Sequence, residues 1–508
     1  MSDRLDRREF LKLSSYFLLS YGLPKILALP SSRIQKADVP NILIVVFDSF
    51  SATHVPLHGY PRNTTPNIAR IAERATVYHN HFAGGTRTFP GTTSLLTGAY
   101  PWSHRGFNRG REIASPYLEN NLFSLFPDHF RVAYTHNRYA ENVLNKLGST
   151  LDHYQLRESL YANKQSIIDK LFSKDSEVAS LGLERTIMKS DTGYAGSLFF
   201  SPPYEIYQKR ILDSYLKRFP KGPPRGPEEK IFLLEEAIDW IQIQTLELPR
   251  PYLAYFHLLP PHTNYAPHAE FVGTFNRDRF APVKKPRHFM HNNETRAGLL
   301  KTRISYDEYI LNVDAEFARL YEFMEEKGVL ENTWVVLTSD HGEMFERGIS
   351  RHNRPTFHQP IIRVPLLILE PGNHVRRDVY TPTVGVDVLP TLLHIMGREP
   401  PKLLEGTILP PFTNAPLTAR PIFGVDAKDN MAFLPLDDAT LMLVRWPYKM
   451  VYYQGYDELP DGKPVFELFD LENDPEELNN LYSTGSSLSS EMADELLQQL
   501  SEKDAPYS

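Results

Sequence analysis

Four side chains far apart in the chain have the types needed to work around one divalent ion. Asp48 follows the apolar run 41–47, and Asp340 and His341 follow the run 334–337. Carboxylates suit a hard cation and imidazole a borderline one, so three such groups at two strand ends point to a single metal site. Each aspartate by itself reads equally as a turn or cap residue. Thr88 supplies the fourth group, standing in Arg87-Thr88-Phe89-Pro90-Gly91-Thr92 ahead of a short helical run. An alcohol is a poor nucleophile at neutral pH, but metal binding and the positive end of a helix bring its alkoxide within reach. Thr88 is therefore a candidate for both ligand and nucleophile; the plainer alternative is a helix cap.

These residues need elements to hold them. The run 41–47 is continuous, apolar and β-branched, which predicts a strand buried on both faces. Further strands are predicted at 132–135, 252–259, 334–337 and 365–369. Helices are predicted at 66–75, 306–324 and 387–396, the first with Thr65 at its N-cap and Pro66 at its first position. Tyr306 and Tyr309 keep helical spacing and are assigned to the core. Strands alternating with helices predict an α/β fold with a large, mainly parallel sheet, whose ligands collect at the carboxyl ends of the strands. After about residue 412, the short runs 422–425, 441–444 and 450–453 predict a small antiparallel sheet, followed by a helix at 488–500. The expected organisation is a leader (1–38), a catalytic domain (39–412) and a C-terminal subdomain (413–508). Within the catalytic domain, 155–227 forms an aromatic-rich insertion near the site.

Composition excludes some function classes. The net charge is −7, from 55 Lys and Arg against 62 Asp and Glu, and no basic block marks a nucleic-acid surface. With no cysteine, the chain has no disulfide, no thiolate metal site and no cysteine nucleophile. Near the start, Arg7-Arg8 and Phe10-Leu11 precede an uncharged stretch, 13–24. That stretch is shorter than the roughly 20 residues a bilayer span needs, but it suits the apolar region of a signal peptide. The segment resembles a twin-arginine export signal. It predicts an exported, periplasmic or extracytoplasmic protein handled by the twin-arginine machinery, with residues 1–30 as a tether if uncleaved. The alternative is a basic amphipathic helix lying on the fold.

Several segments follow one another in a family order: 41–48, Thr65-Pro66-Asn67, 88–98, Tyr100-Pro101, Pro261-His262, 338–343, Arg363-Val364-Pro365-Leu366 and 469–476. Together they resemble the sulfatase family of the alkaline phosphatase superfamily, over about residues 40 to 482. The resemblance implies an α/β sandwich with a small C-terminal subdomain, and metal-dependent hydrolysis or transfer at a phosphate or sulfate ester. It also implies that His262 and His352 contact the ester oxygens or protonate the leaving group, and that Arg87 neutralises developing charge. His104 is expected to support the site from behind, and His268 and His358 to be structural or on the surface.

The chain departs from the family at the nucleophile. Sulfatases carry Cys or Ser, oxidised to formylglycine, in Cys/Ser-x-Pro-x-Arg; here Thr88-Phe89-Pro90-Gly91-Thr92 has neither that residue nor the arginine. Threonine cannot yield the aldehyde hydrate. The resemblance then points to the threonine-nucleophile branch, which includes phosphodiesterases, phosphonate ester hydrolases and lipoteichoic-acid-type phosphotransferases. Ser49 stands where many relatives have a second metal-binding Asp, and Asn137 roughly where they have a Lys. The segment 260–268 lacks the Asp of the two-metal diesterases, so one ion is expected: Mn, Mg, Ca or Zn on Asp48, Thr88, Asp340 and His341. The expected substrate is a small-molecule, glycan or lipid ester. A sulfatase using unmodified Thr88, a phosphotransferase, and an inactive binding protein of the same fold remain the alternatives.

Overall fold

The computed structural model describes residues 39–162, 210, 213–226, 230–413 and 420–507. The leader and most of the insertion expected at 155–227 lie outside the described residues. An eight-stranded sheet organises the molecule, built from β1 (Asn41–Phe47), β2 (Thr76–Tyr78), β3 (Phe130–Thr135), β4 (His153–Tyr154), β5 (Tyr252–Leu258), β6 (Thr333–Thr338), β7 (Leu366–Leu369) and β8 (Arg377–Val379). Their order is β8-β2-β7-β6-β1-β5-β3-β4. Only β7 runs against its neighbours. This is the mixed, mainly parallel sheet that the alternating pattern predicts.

Register places the chemistry. β1 pairs with β5 on one side and β6 on the other, with Val46 level with both His257 and Thr338. Side chains level across parallel strands share a face, and the pleat returns to that face two residues later. Asp48 and Asp340 are each two positions beyond this level, so three strand ends aim ionisable groups at one region. Every residue of β1 and β5 is buried, which explains their nearly unbroken apolar sequence.

The helices behave as the spacing predicts, with one change at a cap. Pro66–Ile71 starts after Thr65, yet the Thr65 side chain makes no cap bond. Asp314, on the long helix Arg296–Glu326, instead accepts the amides of Asn67 (3.0 Å) and Ile68 (2.7 Å). A carboxylate suits the positive helix end better than a hydroxyl does. Tyr306 is buried as expected, but its hydroxyl also donates to the Ser49 carbonyl (2.5 Å) and accepts the Ser51 amide (3.0 Å). It thus braces the loop that follows Asp48.

The small antiparallel sheet comprises β9 (Ile422–Asp426), β10 (Ala439–Arg445), β11 (Tyr448–Gln454) and β12 (Val465–Asp470) in simple sequence order. Ser487–Asp504 forms the predicted C-terminal helix. The core of this sheet is continuous with Trp102, Met344, Phe357 and Ile361 of the catalytic part. Polar ties cross the same boundary. Glu477, fully buried, is bound by Lys449, by His358 Nδ1 (3.1 Å) and by the Gln359 amide (3.1 Å). His288, His358 and Glu467 bring ligand-type atoms within 4.8 Å of one another. However, His288 Nδ1 accepts the Met290 amide (3.1 Å), which leaves its proton on Nε2, 3.5 Å from Glu467 Oε1. His358 Nδ1 is turned to Glu477, so the trio sits among ties that join the two parts of the fold. His358 is structural, as expected, and His268 pairs with Glu270 near the surface.

His104 lies behind the segment that carries Thr88. It meets Ser94 Oγ at 3.0 Å and accepts the Gly106 amide at 2.9 Å. Burial holds its imidazole down at about 3, far below the usual histidine range. The unfolded chain therefore takes up this proton near pH 6.5 while the folded chain does not, so the contribution is present above that pH and lost as pH falls. Between pH 6.5 and 4, the decline in urea midpoint should be shallower for His104→Gln than for the parent chain.

Candidate active site

Thr88 opens the helix Thr88–Thr97, whose N-cap is Arg87; the capping alternative for Thr88 is therefore not what the backbone adopts. Close packing sets the helix against β6. A Cβ on Gly91 would lie 2.4 Å from the Asp340 carbonyl, so only glycine permits the approach. Thr88 Oγ1 sits 3.3 Å from His341 Nε2. His341 Nδ1 donates to the Gly342 carbonyl (3.0 Å), leaving the Nε2 lone pair turned to Thr88, to Asp340 Oδ2 (3.4 Å) and to Asp48 Oδ1 (3.7 Å). All four residues predicted from the sequence come together.

A fifth group joins them. His257, inside β5, places Nε2 3.3 Å from Asp48 Oδ2 and 3.7 Å from Asp340 Oδ2. Its Nδ1 faces the hydroxyls of Tyr255 (3.1 Å) and Thr92 (3.5 Å), either of which can accept its proton. Asp48, His257 and Asp340 each offer an atom within 4.8 Å of the others. Asp340 Oδ2 is buried without a hydrogen-bond donor among the described residues. A buried carboxylate oxygen left open beside two imidazoles fits a divalent cation. Sequence reasoning passed over His257 because it lies within a strand and not at its end. The available signal was one ionisable residue in an otherwise apolar run.

Charge is strongly coupled here. Burial alone would raise the Asp48 carboxyl, but His262, His257 and His341 outweigh it and hold the group well below the ordinary carboxylate range. Asp340 is pushed up, first by burial and then by the Asp48 charge. Burial would depress His257, but its hydrogen bond to Asp48 and the two aspartate charges raise it.

The surrounding residues divide by role. Asn137 caps the helix Arg138–Lys146 with Oδ1, accepting the Tyr139 amide at 2.6 Å. Its Nδ2 donates to Asp48 Oδ2 and lies 3.4 Å from Thr88 Oγ1, giving a neutral donor beside that hydroxyl. Ser49, at φ 62°, turns back on the site: Oγ donates to Asp48 Oδ1 (3.0 Å) and its amide to Asp340 Oδ1 (3.2 Å). The His352 ring lies tilted against His341 (centroids 4.2 Å, interplanar 50°) and His262 (5.2 Å, 53°), and its Nδ1 is held by Glu343 Oε1 at 3.1 Å. His262 Nδ1 donates to the Thr263 carbonyl (2.7 Å). Arg87 is brought beside Thr88, but its guanidinium serves the His352 carbonyl (2.8 Å), the Asn353 carbonyl (3.2 Å) and Asp426 (3.4 Å). It therefore braces the loop that carries His352.

Residues 40–398 match the family model described as Sulfatase. The chain belongs to the sulfatase family. This places it in the alkaline phosphatase superfamily that the ordered motifs predict. Among family relatives, the Multifunctional alkaline phosphatase superfamily protein PehA of Trinickia caryophylli is 24% identical over 502 residues, covering 87% of this chain and 91% of the relative. Choline-sulfatase of Rhizobium meliloti (strain 1021) is 22% identical over 469 residues, covering 87% and 82%. The crystal structure of phosphonate monoester hydrolase of Agrobacterium radiobacter superposes with a TM-score of 0.62 at 19% identity, covering 91% of this chain and 96% of that one. In this sulfatase-family site, His257→Ala should weaken Mn²⁺ binding, read by titration calorimetry, at least about ten-fold, whereas Ser49→Ala should change it less than about two-fold.

Proposed function

We propose that this sulfatase-family chain is an ester hydrolase that cleaves a phosphate diester or related ester through a covalent intermediate on Thr88. The observation that carries the reading is the Thr88 hydroxyl, 3.3 Å from His341 Nε2, at the first turn of its helix and beside Asp48 and Asp340. A divalent ion on Asp48, His257, Asp340 and His341 would supply positive charge that favours the Thr88 alkoxide and neutralises the ester oxygens. The side chains do the rest. Thr88 Oγ1, its proton released to solvent, attacks phosphorus in line, and the bond to the leaving alcohol breaks. His262 gives that alcohol a proton, whereas burial and the neighbouring cationic groups hold the His352 imidazole well below the usual histidine range and suit it to contact an ester oxygen. Asn137 Nδ2, 3.4 Å from Oγ1, keeps the threonine oriented. Water then attacks the phosphothreonine and gives a proton back to the histidine that acted as acid; the Oγ1–P bond breaks and Thr88 Oγ1 takes a proton from solvent. With an alcohol in place of water, the same residues perform transfer.

A sulfate ester is the second reading, supported by the similarity to choline-sulfatase. The unmodified threonine favours phosphorus, because no aldehyde hydrate is available to expel sulfate. Residues 1–38 are proposed as an export signal of the twin-arginine type, which would place the enzyme outside the cytoplasm. The insertion at 155–227 and the subdomain at 413–508 are proposed to select the substrate.

Chelator-sensitive turnover of a nitrophenyl phosphodiester, exceeding that of a nitrophenyl sulfate, is the expected result; the reverse preference would install the second reading. Thr88→Ala should lower kcat at least about 1,000-fold, with Thr88→Ser retaining part of it. Intact-mass measurement after a substrate pulse should show a phosphoryl adduct that Thr88→Ala abolishes. An adduct surviving the substitution would refute the assignment.

A further inference from the structure

Beside the hairpin that leads from His341 to His352 lies a cavity of about 210 Å³, room for several water molecules. Its lining includes Arg303 of the long helix, Arg347 of the hairpin turn, and Lys284, Lys285, Arg287 and Arg296. Against these six cations stand two carboxylates, Glu294 and Glu346. None of Asp48, Thr88, His257, Asp340 or His341 lines it. Phe345 forms part of the wall and packs on Tyr306 (centroids 5.1 Å) and Tyr265 (5.7 Å), in the layer that braces Ser49.

Two of the guanidiniums are built in. Arg303 and Arg347 are each only 6% exposed. Arg303 reaches Glu346 at 3.5 Å, and Arg347 donates to the carbonyls of Glu476 (3.2 Å) and Glu477. Yet the Nε donor of each is buried with no hydrogen-bond acceptor among the described residues, although Arg347 Nε stands 3.8 Å from Glu346 Oε1. A buried donor without an acceptor costs stability, so two in one cavity call for an acceptor that enters from outside. Glu346 cannot fill that role alone. Lys285 Nζ already sits 2.8 Å from it, and Lys285, Arg303 and Arg347 together hold its carboxyl low despite burial. Arg287, exposed at the rim, lies against the hairpin turn. Its stem crosses Gly348, where a Cβ would come within 3.1 Å of the Arg287 Cγ and Nε, and Gly348 has φ 77°.

We propose that this cavity is a second oxyanion site, separate from Thr88, that takes a sulfate, phosphate or carboxylate group. Planar guanidiniums at fixed positions are the side chains best matched to such oxygens. The group is either a free anion or a second charged substituent on the ester. No residue is shared with the Thr88 chemistry, so the two readings fail independently.

The test is titration calorimetry of the full chain with sodium sulfate at constant ionic strength. The parent chain should bind sulfate in a phase whose affinity drops at least about ten-fold in Arg287→Ala/Arg296→Ala, two exposed positions, and in Arg303→Met. Removing two remote surface charges, in Lys402→Ala/Lys463→Ala, should leave that phase unchanged. Sulfate bound at the Thr88 site is read separately as competitive inhibition of nitrophenyl ester turnover, and Arg287→Ala/Arg296→Ala should leave it within about two-fold. If the anion belongs to the substrate, the same double variant should also raise KM for a phosphodiester with a carboxylate on its second alcohol, but not for the neutral-tailed ester. Loss of the sulfate phase with both KM values unchanged would assign a free anion. Superimposable sulfate isotherms for the parent and both cavity variants, all folded by circular dichroism, would overturn the proposal.

Discussion

The structure depends on holding two carboxylates, Asp48 and Asp340, together beneath its surface. Both are almost fully buried and both belong to one group of ligand-type atoms within 4.8 Å of each other. Like charges so placed repel strongly in a low-dielectric setting, and each would separately prefer to be neutral. The surrounding imidazoles answer this: His257 and His341 lie against both carboxylates, and His262 adds its field from the loop after β5. Groups fixed in backbone geometry add hydrogen bonds, the Ser49 and His341 amides on Asp340 Oδ1 and the Asn137 amide group on Asp48, while Asp340 Oδ2 stays open.

This concentration of charge is affordable only on a rigid frame. β1 is paired on both sides by parallel strands and is buried along its whole length, so the end of each strand is set by register. Against that frame, the helix bearing Thr88 is pinned by the glycine contact at Gly91 and by Ser94 on His104. The loop bearing His352 is pinned by Arg87 and Glu343. The C-terminal sheet is part of the same support, because its core is shared with Met344, Phe357 and Ile361.

The sequence revealed most where one physical rule acted alone. Fully buried parallel strands need unbroken apolar runs, so β1, β5 and β6 were legible, and with them Asp48, Asp340 and His341. The short strands β2 and β8 were not, since three residues each carry too little periodicity. The helices Arg138–Lys146 and Leu234–Glu247 were also missed; the first has its cap signal in Asn137, which the family comparison had drawn toward a lysine's place. His257 was hidden for a different reason. Looking only at residues beyond strand ends discards a side chain that points to the same site from inside a strand. Arg87 shows the opposite limit: adjacency to Thr88 located it, but nothing in the spacing foretold that Asp426, more than three hundred residues later, would take part of its guanidinium.

The ties to Glu477 bear on when this molecule can acquire its working shape. His358 and the Gln359 amide find their buried partner 119 and 118 positions further along the chain. A chain still short of residue 477 therefore lacks the partner that His358 and the Gln359 amide take in the finished fold, so this tie closes only when most of the polypeptide has been made.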